Sequence, residues 1–357
     1  MFSRFTRNKL KTFSSKEPLK RFASTEKMSM SSSHRPSNVI DGRYHDFTKE
    51  KYDAVIIGAG HNGLVWSNYL GMKNKKTLIL EQRDIIGGAA VSEELVPGYK
   101  FSRFSYVLSL LRKVVIDEIF PKNWKDELTL YRRNPSSFTP TVDPRKYLLM
   151  GSNDEFNYKE ISKFSKKDAQ NFSAYEHKLN EIVSLISPFI DNEPDVKLRN
   201  LPGIYMKARK SIKTSVPELY QLMTAPASTI LNQYFESDIL KGTLSSDAVI
   251  GANQSPYSAN SSYVLIHHVM GEMLEKGIWA YVEGGMGTLS NYIAYLAEKR
   301  GGTIAINSYV DKILTKLNMP NTQKLVVAKV QKVDEALQTE DEKFEEPVLK
   351  FCSTPEL

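Results

Sequence analysis

The chain has 357 residues, enough for two domains with separate cores, and its 41% apolar and 25% charged content is that of an ordinary globular protein. Its formal charge of +7 belongs to the first 40 residues, where nine Lys/Arg stand against two Glu; the remainder balances at 39 basic and 39 acidic residues. A nucleic-acid surface on the folded part therefore has no support, no run of 18 apolar residues spans a bilayer, and the single cysteine, Cys352, leaves no CxxC pair for dithiol chemistry.

Residues 1–50 read as an arm and linker. Phe2, Phe5, Leu10 and Phe13 give a partly amphipathic face beside Arg4, Arg7, Lys9 and Lys11, in a segment rich in Ser and poor in acids. That is the composition of a mitochondrial presequence, with Arg21-Phe22-Ala23-Ser24 suited to cleavage in the matrix. The mitochondrial matrix is the expected location. A disordered basic tail is the alternative reading.

From residue 51 to 133 the pattern changes. Ala54 to Ile57 fit a buried parallel strand. Gly58, Gly60 and Gly63 then form GxGxxG: the first glycine permits a tight turn, the second lets backbone approach a pyrophosphate, and the third lets the next helix pack on the strand. A helix is expected from about His61 to Tyr69 with Gly71 as its cap. Its N-terminus offers free N–H groups and the positive end of the helix dipole to a phosphate. A second strand, Thr77 to Leu80, ends at Glu81, an acid placed to accept bonds from ribose hydroxyls and to repel a 2′-phosphate. The nominated dinucleotide-binding residues here are Gly58, Ala59, Gly60, His61, Asn62, Gly63, Glu81 and Gln82. Arg103 and Tyr106, with Trp279 further on, are candidates for lining a planar cofactor, with ordinary packing as the alternative role for each.

Residues 134–275 read as a helix-rich insertion. Asn134-Pro135-Ser136-Ser137 breaks the preceding segment, and Phe172, Tyr175, Leu179, Ile182, Val183 and Ile186 recur at helical spacing through 166–190. Asp191 to Arg199 is a loop, and Lys207 to Lys213 a solvated basic face, with membrane-surface contact as the alternative. Further helices are expected over Pro217–Tyr220, Ala227–Leu240 and Ser261–Lys276. His267 and His268 are adjacent, so on a helix they point about 100° apart and do not share a metal in the HExxH manner. No metal site is expected.

Residues 276–333 carry a second glycine motif. Tyr281 to Leu289 reads YVEGGMGTL, followed by a helical stretch and GGTIAINSYVDKI. Together with E-x5-GG at Glu81, Gly87 and Gly88, this resembles the FAD-binding amine oxidase and carotenoid desaturase superfamily. One departure is that Ala89 stands where an Arg is usual. Within that group, FSRFSYVLSLLR, RNPSSFTP, FSKKDAQNFSAYE and SDAVIGANQSPYS resemble the pyridine nucleotide-disulfide oxidoreductase domain-containing protein 2 family, over roughly residues 50 to 315.

The resemblance implies an α/β fold: a Rossmann-type FAD-binding domain (51–133 and 276–333) with a helix-rich α+β substrate domain (134–275) inserted. It adds Gly87, Gly88, Gly285, Met286 and Val310 to the FAD contacts. It implies hydride transfer from a small apolar or amphipathic substrate to flavin, with no catalytic side chain identified. It also implies a closing C-terminal segment; the acidic stretch 334–357 does not resemble one, so a truncated form is expected. A non-catalytic relative that binds a mitochondrial protein partner is the second expectation.

Overall fold

The computed structural model describes residues 34–151, 153–190, 216–271, 279–315, 326–332 and 348–350. The expected presequence, the 191–199 loop, the Lys207–Lys213 run, the 334–346 acidic stretch and Cys352 lie outside the described residues.

The chain enters through β1 (Val39–Asp41), then runs β2 (Ala54–Ile57), α1 (His61–Met72) and β3 (Thr77–Leu80). A hairpin follows, β4 (Ser92–Val96) and β5 (Tyr99–Ser102), then two short helices, α2 (Lys113–Ile119) and α3 (Trp124–Glu127). Strand β6 (Leu130–Arg132) leads into the hairpin β7 (Ser137–Pro140) and β8 (Tyr147–Met150). Among the described residues six α-helices come next: α4 (Asp154–Ser162), α5 (Lys166–Ile190), α6 (Val216–Thr224), α7 (Ala227–Tyr234), α8 (Asp238–Ser245) and α9 (Ser261–His267). The chain returns through β9 (Ala280–Val282), α10 (Met286–Lys299) and β10 (Gly302–Ile306), then β11 (Ser308–Thr315), β12 (Val326–Lys332) and β13 (Val348–Lys350).

The central sheet is parallel throughout, in the order β1-β10-β3-β2. Thr77 pairs with Ala54 on one side and Gly302 on the other, and Val39 pairs with Ile304. β3 is buried on both faces because its side chains alternate between two apolar layers. Ile79 joins Leu64, Leu289, Ile293 and Ile304 under α1 and α10, while Leu78 and Leu80 join Phe47, Tyr52 and Ala305 on the opposite face. A separate core, with Leu148, Phe172, Ile182, Ile230, Leu231 and Ile266, holds β8 and the helices of the middle segment. Strands β6 and β9 pair antiparallel where the chain leaves and re-enters the first core.

Several expectations change here. The segment read as linker up to residue 50 contributes β1 to the sheet and Phe47 to a core. Helix α1 continues to Met72, so Gly71 is no cap. A Cβ on Gly71 would lie 2.6 Å from Arg300 Cβ, and Asn74 (φ 57°) takes the left-handed position instead.

The expected helix over Ala227–Leu240 is two helices. Phe235–Ser237 intervenes, and the buried Asp168 carboxylate accepts bonds at 2.9 Å from both Glu236 N and Ser237 N. The expected Ser261–Lys276 helix ends at His267: the chain approaches Ser109 so closely that a Cβ on Gly271 would sit 1.9 Å from Ser109 O.

Candidate functional site

Two glycine turns meet at the carboxyl ends of β2 and β3. Gly58 N donates to Leu80 O at 2.7 Å, Gly87 N to Ala59 O at 2.9 Å, and Gly60 and Gly87 form a parallel bridge. Gly58 has φ +96°, which a side chain would strain. A Cβ on Gly63 would lie 2.2 Å from Gly58 O, so helix and turn touch only because that atom is missing.

Gly60 is different. Its φ of −71° and ψ of 169° suit any residue, and the nearest atom to a Cβ there would be Gly88 Cα at 3.9 Å. The protein's own packing does not demand glycine at this position. The space beside it is open.

Helix α1 begins at that space. No side chain caps it, and the N–H groups of His61, Asn62 and Gly63 donate to nothing among the described residues. Unpaired amides and the positive dipole end together favour an anion. The N-terminus of α10, by contrast, is closed. Met286 N donates to Ser102 Oγ and Gly287 N to Ser92 Oγ, each at 3.0 Å, and Ser290 Oγ donates to Ala90 O at 2.6 Å.

Glu81 is 6% exposed. Its Oε2 accepts from Ala59 N at 2.8 Å and its Oε1 from Arg83 N at 3.0 Å, so the carboxylate braces the glycine turn. An ionised carboxylate has about four acceptor positions, which leaves capacity for hydroxyl donors. Glu81 O accepts from Ser308 N at 2.8 Å and Arg83 O from Asn307 N at 3.0 Å. Those bonds start β11 beside Glu81, and two residues on, Val310 packs against the Leu78–Leu80 layer.

The structure thus brings together Gly58, Ala59, Gly60, His61, Asn62, Gly63, Glu81, Gln82, Gly87 and Gly88, with Val310 on the adjoining strand. His61, Asn62 and Gln82 are exposed. Gly285 and Met286 have another explanation. A Cβ on Gly285 would fall 2.3 Å from Ser92 Oγ, and the Met286 side chain is buried in the core beneath α10. Packing against the β4–β5 hairpin accounts for Gly285, and the core for the Met286 side chain.

The residues expected to line a planar group divide. Arg103 is ion-paired to Glu93. The Tyr106 and Trp279 rings flank Arg133, whose guanidinium carbon lies 6.0 and 5.3 Å from their centres. Trp279 also packs 5.7 Å from the His268 ring, whose Nδ1 bonds Val264 O at 2.9 Å. Burial pushes the nearby Asp247 carboxyl up, opposed by the charges of His268 and Arg133. His267 is pushed down by burial and by His268.

Sequence reasoning missed Ser92, Ser102, Ser290, Arg83 and Glu93. Only Arg83 and Glu93 carried a signal, as charges flanking the two glycine motifs.

The family model of an NAD(P)-binding Rossmann-like domain matches residues 56–117, which contain the GxGxxG turn, α1 and β3. The rat pyridine nucleotide-disulfide oxidoreductase domain-containing protein 2 (Rattus norvegicus) is 45% identical over 285 residues, covering 74% of this chain. Over that stretch the two proteins are strongly homologous. The chain spans about half the length of this relative, 49%.

A lycopene-forming phytoene desaturase of Pseudescherichia vulneris is 24% identical over 288 residues, covering 77% of this chain and 53% of that protein. Among solved structures, wild-type putrescine oxidase bound to putrescine aligns at 15% identity with a TM-score of 0.47, covering 78% of this chain and 55% of that one.

Proposed function

We propose that this chain holds the dinucleotide of an FAD-dependent oxidoreductase of the phytoene dehydrogenase-like type, acting in mitochondria on a small apolar or amphipathic substrate. The observation that carries the reading is the open N-terminus of α1 beside Gly60, flanked by a buried acid that braces the turn. The amides of His61, Asn62 and Gly63 would hold the diphosphate, and Glu81 the adenosine ribose.

The matching family model is named for NAD(P), and the two cofactors share an adenosine diphosphate half. Glu81 disfavours a 2′-phosphate in either case. The resemblance of E-x5-GG at Glu81, Gly87 and Gly88 to the FAD-binding amine oxidase and carotenoid desaturase superfamily supports FAD. When bound, flavin accepts hydride from the substrate. The chain's own contribution is to bind the diphosphate, orient the ribose and, with the apolar layers on both faces of β3, exclude water from beneath the turn.

The test is to release and identify any nucleotide carried by the purified protein. FAD in near-equimolar amount, with a flavin spectrum that bleaches on reduction, is the expected result. Colourless protein that gains no bound FAD on incubation contradicts it.

A second reading is a non-catalytic relative that binds a mitochondrial protein partner. It draws on the free edge of β2, which among the described residues pairs with β3 alone and leaves Ile57 51% exposed. Protein that takes up no dinucleotide favours this reading.

A further inference from the structure

Neither glycine turn contains a cation: residues 54–72 and 84–99 hold no Lys or Arg. Yet the proposed ligand is doubly anionic at its diphosphate, and the turn already carries the buried carboxylate of Glu81. The fold brings arginines from outside both motifs. Arg83 Nη2 donates to Glu93 Oε1 at 2.5 Å, and Arg103 Nη1 donates to both oxygens of the same carboxylate, at 3.2 and 2.9 Å. Glu93 is the least exposed of the three side chains, at 18%, against 32% for Arg83 and 46% for Arg103. Two cations share one anion, so the cluster carries an excess positive charge.

The backbone places that charge beside the turn. Residues 87–91 run along the glycine turn through Gly87 N to Ala59 O, and residues 103–105 run along 89–91 through Arg103 N to Val91 O at 3.0 Å and Ser105 N to Ala89 O at 3.3 Å. Arg103 therefore lies opposite Val91, four residues past the Gly87 that bonds the turn.

Ser92 and Ser102 point to α10, so Glu93 and Arg103 occupy the other face of the hairpin. Arg83, only two residues past Glu81, reaches the same carboxylate, which puts the cluster at the carboxyl ends of the parallel strands. Ligands of open α/β sheets bind at that end. Arg103 uses one nitrogen on Glu93; among the described residues its Nε and Nη2 make no bond.

We propose that Arg103, held in position by Glu93, supplies the cation that neutralises the diphosphate of the dinucleotide. The inference rests on the dinucleotide reading above and adds a residue outside both glycine motifs to the site.

The test titrates FAD, ADP and adenosine into the full chain and into Arg103→Ala, Arg103→Lys and Arg103→Ala/Ala89→Arg. Ala89 is exposed beside the turn, so it can carry a relocated charge. Losing a charge-assisted bond should weaken FAD and ADP by roughly 10- to 100-fold in Arg103→Ala, with adenosine affinity and the unliganded melting temperature unchanged. Arg103→Lys should retain most of the affinity, and the relocated arginine should restore part of it. FAD binding as tight in Arg103→Ala as in the parent overturns the inference alone. So does an equal loss for adenosine, which would mark a structural role. A parent that binds none of the three ligands overturns the dinucleotide reading, and this inference with it.

Discussion

Gly60 and Gly63 lie in one turn, and the structure asks different things of them. At Gly63 a methyl would meet Gly58 O at 2.2 Å. Gly63→Ala should therefore cost stability, about 1–3 kcal/mol as for other overpacked sites, read as an earlier unfolding midpoint without ligand. Gly60 has an ordinary backbone and open space, so a side chain there should leave the bare fold intact. Asp168 is a further residue-scale case. It is fully buried, and it satisfies two backbone amides at the break between α7 and α8. Asp168→Ala would leave Glu236 N and Ser237 N without acceptors, at about 1–3 kcal/mol per stranded group. A urea midpoint well below that of the parent checks this; an unchanged midpoint contradicts it.

At the scale of elements, the two helices that meet at the glycine turns divide the work. Helix α10 is closed by the hydroxyls of Ser92 and Ser102, which ties it to the β4–β5 hairpin, whereas α1 is left open. Ser102→Ala should cost about 1 kcal/mol, the usual loss of a cap, with dinucleotide affinity nearly unchanged. Equilibrium unfolding and FAD titration on the same variant separate the two effects. The crossover from β2 to β3 was legible in the sequence because local signals agreed: an apolar strand, glycines at fixed spacing, and an acid at the next strand end. The edges of helices were less legible. Gly71 has the chemistry of a cap, but its position is decided by contact with Arg300, 229 residues further along the chain. The break after Tyr234 depends on Asp168, which no local pattern announces. Strand β1 escaped notice because its three residues become a strand only by pairing with β10.

Across the whole molecule, stability should depend on pH through Glu176 on α5. Burial, assisted by the charge of Asp154, raises its carboxyl from 4.5 to about 7. The folded state then binds more protons than the unfolded chain between pH 4.5 and about 7, so stability falls as pH rises through that window. Glu176→Gln should flatten this part of the melting-temperature profile and raise the melting temperature at pH 8. A profile identical to the parent's would contradict it.

The candidate site was legible where one short stretch carries it, Gly58 to Gly88, and illegible where distant segments complete it. Glu93 meets Arg83 and Arg103 only where the hairpin places it, and the serines that close α10 come from that same hairpin. The central claim is that the open end of α1 holds a dinucleotide diphosphate, and calorimetric titration of FAD into the parent and Gly60→Val tests it most directly. The account predicts one site in the parent, and in the variant the parent's melting temperature without ligand together with FAD affinity lower by roughly 100-fold or more. Gly60→Val protein that binds FAD as tightly as the parent would contradict it.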